Sequence, residues 1–283
     1  MKQLVTHEKV LRIIEELSQE KFESGHITKD DSNYSYSLKQ DLYHYSDILK
    51  LCEKYTTPGN CLEIGIGYAY LAVLIRKLLD YEVTGIDQSC RTYISNPLWK
   101  SLLAKEDIKF EVCDIINEPF CFEDKSFDLV TCCEVLEHLT ISPKKIFNEI
   151  HRVLSDNGTF ILTTPNFANL QNRVALLRGK NFLWHFPDEQ PRDPAYRHWR
   201  EYVPKELMRM LTQSGFTVEK LHMSNCWDRN SRRPYYRYLP KLVPSLRSDI
   251  MIVAKNTPSD LMTLCSLGEP VSDRQAIALP TIK

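Results

Sequence analysis

The chain has 283 residues, 43% of them hydrophobic and 26% charged, and its 36 basic and 37 acidic side chains leave a formal net charge of −1. That length supports one large domain with appendages or two small ones, and the balanced charge excludes a general pull toward nucleic acid or an anionic membrane. The charged N-terminus, Met1 through Glu20, carries no apolar core of signal-peptide length, and no later apolar run is long enough to cross a bilayer; the expected location is cytoplasmic.

Nine cysteines without a C-x-x-C pair fit a reducing compartment and give no support to a zinc knuckle or an iron–sulfur cluster. Cys61, Cys113, Cys132 and Cys133 fall inside predicted strands, where a free thiol acts as a small core hydrophobe.

In chain order, residues 7–23 and about 38–55 are predicted as amphipathic helices. The first carries Val10, Leu11, Ile13, Ile14 and Leu17; the second carries Leu38, Leu42, Tyr45, Ile48, Leu49 and Cys52. The polar link Lys29-Asp30-Asp31-Ser32-Asn33 separates them, and Tyr34, Tyr36, Tyr43 and Tyr45 read as packing groups of the second. Pro58-Gly59-Asn60 breaks that helix. The stretch Cys61-Leu62-Glu63-Ile64-Gly65-Ile66-Gly67-Tyr68-Ala69-Tyr70-Leu71-Ala72 then reads as a buried strand, a tight turn and a helix. Further strands are predicted at 82–87, 108–114, 126–133, 159–164, 216–223 and 248–254. Helices are predicted at 69–79, 91–105, 143–154 and 204–214. Ser142 is placed to cap the third of these helices and Asn157-Gly158 to end it. Strand–helix alternation argues for an α/β fold, a parallel sheet with helices on both faces. Residues 165–199 show no clean period, and 256–283 reads as a loose tail.

Glu63, Asp87, Asp114 and Glu134 each sit at or just past the C-terminal end of a successive predicted strand, where an open parallel sheet binds its ligands. Asp87 lies 24 residues beyond Glu63, near the spacing at which an acid reaches a ribose hydroxyl. A dinucleotide site wants a third glycine in G-x-G-x-x-G, and Tyr70 occupies that place. An acid directly before the glycines would repel a phosphate and attract an ammonium or a sulfonium. The pattern therefore favours a cationic nucleoside.

Four motifs in order carry a family resemblance: Glu63-Ile64-Gly65-Ile66-Gly67; Thr84-Gly85-Ile86-Asp87; Cys113-Asp114-Ile115; and Phe127-Asp128-Leu129-Val130-Thr131-Cys132-Cys133-Glu134-Val135-Leu136-Glu137-His138-Leu139. Over about residues 50–255 the chain resembles class I S-adenosylmethionine-dependent methyltransferases. The resemblance implies a Rossmann-like, seven-stranded, mostly parallel sheet whose last strand, 248–254, inserts antiparallel. It implies an N-terminal helical cap over 1–55, a methyltransferase domain over 56–255 with acceptor-side inserts at 165–203 and 224–247, and a tail from 256. It also implies cofactor roles: Glu63, Gly65, Ile66 and Gly67 beside the methionine part, Asp87 with Gln88 at the ribose, Asp114 and Ile115 at the adenine, and Cys133 and Glu134 along the cofactor. The product would be S-adenosylhomocysteine. Ala69 stands where many members have a third glycine, which predicts a tighter helix start with the site kept.

Methyl transfer to a hydroxyl needs an aligned acceptor and a proton acceptor, for which histidine is the natural group. His138, His198 and His185 are candidates, and position favours His138 and His198, with Glu134 beside them. Glu134, Glu137 and His138 share one face of a helical turn. This E-x-x-E-H is similar to ubiquinone-pathway O-methyltransferases and to small-RNA 3′-end 2′-O-methyltransferases, where it binds metal, and His198 would complete the set. Related methyltransferases carry the same letters with capping acids, and the sequence reading assigns no metal, a divalent ion being the alternative.

Residues 170–249 hold 15 Lys/Arg against 8 Asp/Glu, with Arg229, Arg232, Arg233, Arg237 and Lys241 among Trp227, Tyr235, Tyr236 and Tyr238. Such a surface suits single-stranded nucleic acid, an anionic small molecule or a carbohydrate, or is a solvated cover over the sheet. Thr164-Pro165-Asn166, the His198 to Tyr202 block and Leu242-Val243-Pro244-Ser245-Leu246 resemble bacterial methyltransferases of glycan and secondary-metabolite pathways. The expectation is methyl transfer to a hydroxyl or amine of a small molecule or sugar. A metal-dependent RNA 2′-O-methyltransferase and a non-catalytic cofactor-binding partner subunit are the alternatives, and the oligomeric state is left open.

Overall fold

Alternation of apolar side chains within each strand sends them to two opposite cores, and that requires helices on both faces of the sheet. The computed structural model describes residues 5–23, 34–89, 92–183, 197–226 and 233–257. Its elements run α1 (His7–Glu23), α2 (Tyr34–Tyr55), β1 (Asn60–Ile64), α3 (Tyr70–Leu79), β2 (Glu82–Asp87), α4 (Pro97–Lys105) and β3 (Lys109–Val112). β4 (Phe127–Cys133), α5 (Lys144–Val153), β5 (Leu154–Pro165), α6 (Leu170–Leu177), α7 (Pro204–Gln213), β6 (Phe216–Ser224), α8 (Pro234–Leu242) and β7 (Asp249–Asn256) follow. The strand order is β3-β2-β1-β4-β5-β7-β6. β1 to β5 are parallel, and β7 is antiparallel to both β5 and β6. The seven-stranded, Rossmann-like sheet with its last strand inserted antiparallel is thus the one the sequence implied.

On one face Cys61, Val83, Leu129, Ile161 and Val253 meet α1 to α4 through Val10, Ile14, Ile48, Leu49, Leu74 and Trp99. On the other, Leu62, Ile64, Val130, Phe160, Leu162 and Ile252 meet α5 and α7 through Phe147, Ile150, Leu207 and Leu211. The N-terminal helices thus share a core with the sheet.

Several local expectations change. The helix expected over 91–105 is broken: a 3-10 turn (Thr92–Ser95) precedes α4, because Asn96 caps α4 by accepting from the Leu98 N–H and Pro97 takes its first position. Pro143 holds the cap position of α5, with the Ser142 hydroxyl just before it accepting from the Lys144 N–H at 3.5 Å, and Asn157-Gly158 does not end that helix. α5 stops at Val153 and the chain enters β5 at once, with Asn157 left-handed (φ 63) where the β4–β5 register shifts. Residues 165–199 contain α6, capped by Asn169 accepting from the Asn172 N–H, and the second insert contains α8. β7 extends to Asn256, into the expected tail. The Lys29–Asn33 link, His185, Trp227, Arg229, Arg232 and residues 258–283 lie outside the described residues.

Candidate functional site

At the C-terminal ends of β1, β2 and β4 the chain leaves the sheet in three tight turns, and these wall one cleft. Its lining comprises Gly65, Gly67, Tyr68, Ile86, Asp87, Gln88, Cys113, Ile115, Ile116, Glu134, Val135, His138 and Leu139. Gly65 and Gly67 have φ of 75 and 53, conformations costly for other residues. A Cβ on Gly65 would lie 2.6 Å from Val135 Cγ2. The turn is fixed from two sides: the Asp87 carboxylate accepts from the Gly67 N–H at 3.2 Å, and Trp99 Nε1–H donates to the Gly67 carbonyl at 3.1 Å. The other Asp87 oxygen accepts from the Gln88 N–H at 2.8 Å.

Glu63 is buried in β1 below the turn, and its Oε2 has no hydrogen-bond partner among the described residues. Burial, reinforced by the neighbouring Asp87 charge, pushes its carboxyl well above the usual carboxylate range. The cleft wall carries the Asp87 carboxylate and the Glu134 carboxyl group, and no Lys or Arg among the described residues. That lining fits a cationic nucleoside such as S-adenosylmethionine and disfavours a diphosphate.

Glu134 follows β4 in a left-handed conformation (φ 55), rare for a residue with a side chain and concentrated at functional sites. Its Oε1 accepts from the Thr163 hydroxyl at 2.8 Å. Burial and the Asp249 charge raise its carboxyl to about 8, against a lowering from His44. A 3-10 turn (Leu136–His138) comes next and brings His138 to the cleft. His138 Nδ1 lies 3.0 Å from the Arg197 carbonyl oxygen, an acceptor, so this nitrogen carries a proton, and Nε2 lies 3.9 Å from Glu137 Oε1. The Trp199 N–H donates to the Glu137 carbonyl at 2.6 Å, and the His138 and His198 rings meet edge to face with centroids 5.0 Å apart. His198 is oriented by Glu201, 3.0 Å from its Nδ1. The far end of the 165–203 segment therefore packs on the turn holding His138.

Of the sequence-derived residues, Gly65, Gly67, Asp87, Gln88, Ile115, Glu134 and His138 line the cleft. Ile66 lies behind the turn, filling the space a Cβ on Gly85 would occupy. Glu63 and Cys133 sit inside the sheet ends, and Asp114 turns to the Ile116 N–H and the Asn117 side chain. That Asn117 bond, more than any other contact, holds the Asp114 carboxyl below its usual range. Ligand atoms of Glu137, His138 and His198 all lie within 4.8 Å of one another, whereas Glu134 stands outside that set. Glu137 is buried, accepts from the Thr164 hydroxyl at 2.9 Å, and has its carboxyl raised by burial and by Glu134.

Thr163 and His44, which the sequence did not single out, converge here with Thr164 and Asn166 of the Thr164-Pro165-Asn166 motif. Thr163 and Thr164 of β5 hold the two glutamates, and His44 of α2 lies 4.0 Å from Glu134. Asn166 joins the inserts: its side-chain N–H donates to the carbonyls of Ser245 and Arg247, and its backbone bridges to Tyr202. For Thr163 the advance signal was its place at the C-terminal end of a central strand; His44, on α2, carried none.

A methyltransferase-domain family model matches residues 34–221. Among curated relatives, the ubiquinone biosynthesis O-methyltransferase of Neisseria meningitidis serogroup A is 28% identical over 158 residues, 56% of this chain and 63% of that protein. The chain thus spans a little under two thirds of that relative's length. The Rickettsia typhi protein of the same name is 23% identical over 227 residues, 76% of this chain and 83% of its own. Among solved structures, a chain from the complex between the Haloferax volcanii Trm112 methyltransferase activator and a methyltransferase superposes with a TM-score of 0.56. Sequence identity there is 14%, with 80% of this chain and 95% of that chain covered, a likeness of fold. The family match across most of the domain, on a sheet of this order with an acid-walled cleft at its strand ends, places the chain in the class I S-adenosylmethionine-dependent methyltransferase family.

Proposed function

We propose that this protein transfers a methyl group from S-adenosylmethionine to a hydroxyl oxygen of a small-molecule acceptor, sugars included. One observation carries the reading: His138, with Nδ1 held by the Arg197 carbonyl, lines the cleft that also holds the glycine turn and Asp87. S-adenosylmethionine, when bound, supplies a sulfonium-activated methyl group. Asp87 would accept from its ribose hydroxyls, and the Gly65–Gly67 turn would let backbone approach its methionine part. His138 Nε2 takes the acceptor proton as the oxygen attacks, while His198, set by Glu201, backs the ring edge-on. The O-methyltransferase names of the curated relatives support oxygen as the attacking atom.

The test is turnover of labelled S-adenosylmethionine on a panel of hydroxyl-bearing aromatic and sugar acceptors by the wild type, His138→Ala and His198→Ala. S-adenosylhomocysteine binding, followed by calorimetry, is the control. Both variants should lose turnover, by about 10²-fold or more for His138, while binding survives. Full activity in both refutes the assignment; no turnover by the wild type on any acceptor favours a non-catalytic subunit.

A second reading rests on the convergence of Glu137, His138 and His198. These would hold a divalent cation that polarises the acceptor hydroxyl, and on this reading RNA 2′-hydroxyls join the acceptor panel. Chelation separates the two: turnover that survives EDTA supports the base, and turnover that EDTA abolishes and Mg²⁺ or Mn²⁺ restores supports the metal.

A further inference from the structure

A second set of donors lies behind the cleft, where α2 crosses the ends of β6 and β7. His44 on α2, Cys226 just past β6 and Asp249 at the head of β7 come from three distant parts of the chain, and all three are buried, Cys226 and Asp249 fully. His44 Nδ1 lies 3.2 Å from Asp249 Oδ2, Cys226 Sγ lies 3.7 Å from the same nitrogen, and Sγ lies 3.6 Å from the same oxygen.

Those three separations are close to the edges of a metal tetrahedron. Zinc bonds of about 2.3 Å to sulfur and about 2.0–2.1 Å to nitrogen and oxygen, at tetrahedral angles, put the N–O edge near ~3.3 Å and the two sulfur edges near ~3.5 Å. A purely hydrogen-bonded triad accounts for the cluster less well. It would direct both Nδ1–H and S–H at the single oxygen Oδ2, while Asp249 Oδ1, equally buried, has no hydrogen-bond partner among the described residues. A cation at the centre takes the lone pairs of all three ligands, and Oδ1 is available as a further donor.

The surroundings fit as well. With Nδ1 on a cation, His44 carries its proton on Nε2, which faces the Thr163 hydroxyl at 3.4 Å; Thr163 in turn donates to Glu134. A buried thiolate and carboxylate carry two negative charges, which one dication neutralises. Sulfur, nitrogen and oxygen together are the ligand set of a borderline-soft ion.

We propose that His44, Cys226 and Asp249 form a structural binding site for a zinc-class divalent cation, which clamps α2 to the β6 and β7 ends behind Glu134. The site shares no ligand with the Glu137, His138 and His198 set, and sulfur is the signature that tells them apart.

The full chain, stripped with a chelator under a non-thiol reductant, is titrated with Co²⁺. The expected result is about one equivalent bound with tetrahedral d–d bands and a near-ultraviolet thiolate-to-cobalt band. Cys226→Ser should abolish the near-ultraviolet band, and His44→Ala or Asp249→Asn should weaken binding at least about tenfold. His198→Ala and Cys121→Ser should leave the band in place. No thiolate band in the wild type, or a band that persists in Cys226→Ser, overturns the proposal. Should the Cys226 variant fail to fold, zinc-edge X-ray absorption on the wild type decides alone. One sulfur at about 2.3 Å supports the site, and a shell of nitrogen and oxygen only overturns it.

Discussion

Replacing Gly65 by alanine perturbs the cofactor turn by two separable mechanisms. The residue sits at φ 75, where an L-side chain costs about 1–2 kcal/mol. Its new Cβ would also fall 2.6 Å from Val135 Cγ2, with the next contacts at 3.9 Å. Valine has little χ1 freedom with which to move away, and overpacking of this kind costs about 1–3 kcal/mol. The sum predicts a loss of about 2–5 kcal/mol, divided between folding stability and cofactor binding. Urea unfolding and S-adenosylhomocysteine calorimetry measure the two parts. The clash is with one methyl group, so Val135→Ala in the Gly65→Ala background should recover the overpacking part and leave the left-handed cost in place. Relative to the two single variants, the double variant should show a favourable coupling of about 1–3 kcal/mol. A Gly65→Ala protein within about 0.5 kcal/mol of wild type by both measurements refutes the reasoning, as does strict additivity of the two substitutions.

Asp87→Ala should weaken S-adenosylhomocysteine binding by tenfold or more, since it removes a cleft carboxylate and the acceptor of the Gly67 N–H together; unchanged affinity by calorimetry contradicts the ribose role. The Glu134 carboxyl, raised from 4.5 to about 8, binds its proton more tightly in the fold than in the unfolded chain. Its contribution to stability is therefore full in acid and is lost as pH rises through about 8. In metal-free protein, Glu134→Gln should flatten the fall in unfolding free energy between about pH 5 and 8, and parallel profiles rule the effect out. Arg152 of α5 donates to the Phe120 and Phe122 carbonyls, to Glu149 and to Asp124. Arg152→Ala should cost about 2 kcal/mol in urea unfolding with cofactor affinity unchanged, and a loss below about 0.5 kcal/mol would show the network to be superficial.

The sheet was legible because its strands obey one rule: each is an apolar run ended by a turn, and four of them carry an acid at or near the same end. Helix boundaries were harder where short polar residues competed for roles. Asn96-Pro97 divides a periodic stretch, and Asn157 takes a left-handed conformation inside a strand. Glu63, Asp87 and Glu134 gained meaning from their register; Asp87 and Glu134 line the cleft, and Glu63 stays buried in the sheet below it. His44 and Asp249 could not be read in advance. One stands among tyrosines on a helix and the other heads an apolar strand, and their meeting depends on packing between elements about 200 residues apart. Glu137 carried a visible motif, but its burial and its bond to Thr164 depend on the turn that follows β4.

The place of β7 has a consequence for how the protein is made. This strand comes after the other six in the chain yet lies between β5 and β6, pairing with one through Thr159–Pro165 and with the other through Phe216–Ser224. Until residues 249–256 have left the ribosome, β5 and β6 both present open edges, and α7 and β6 have no sheet to join. Synthesis thus exposes two unpaired strand edges for as long as it takes to translate the second insert, an interval in which a nascent chain pairs readily with its neighbours. Assembly of this half of the sheet therefore waits on one eight-residue segment, and a stalled or truncated product lacking it would be a natural client for chaperones.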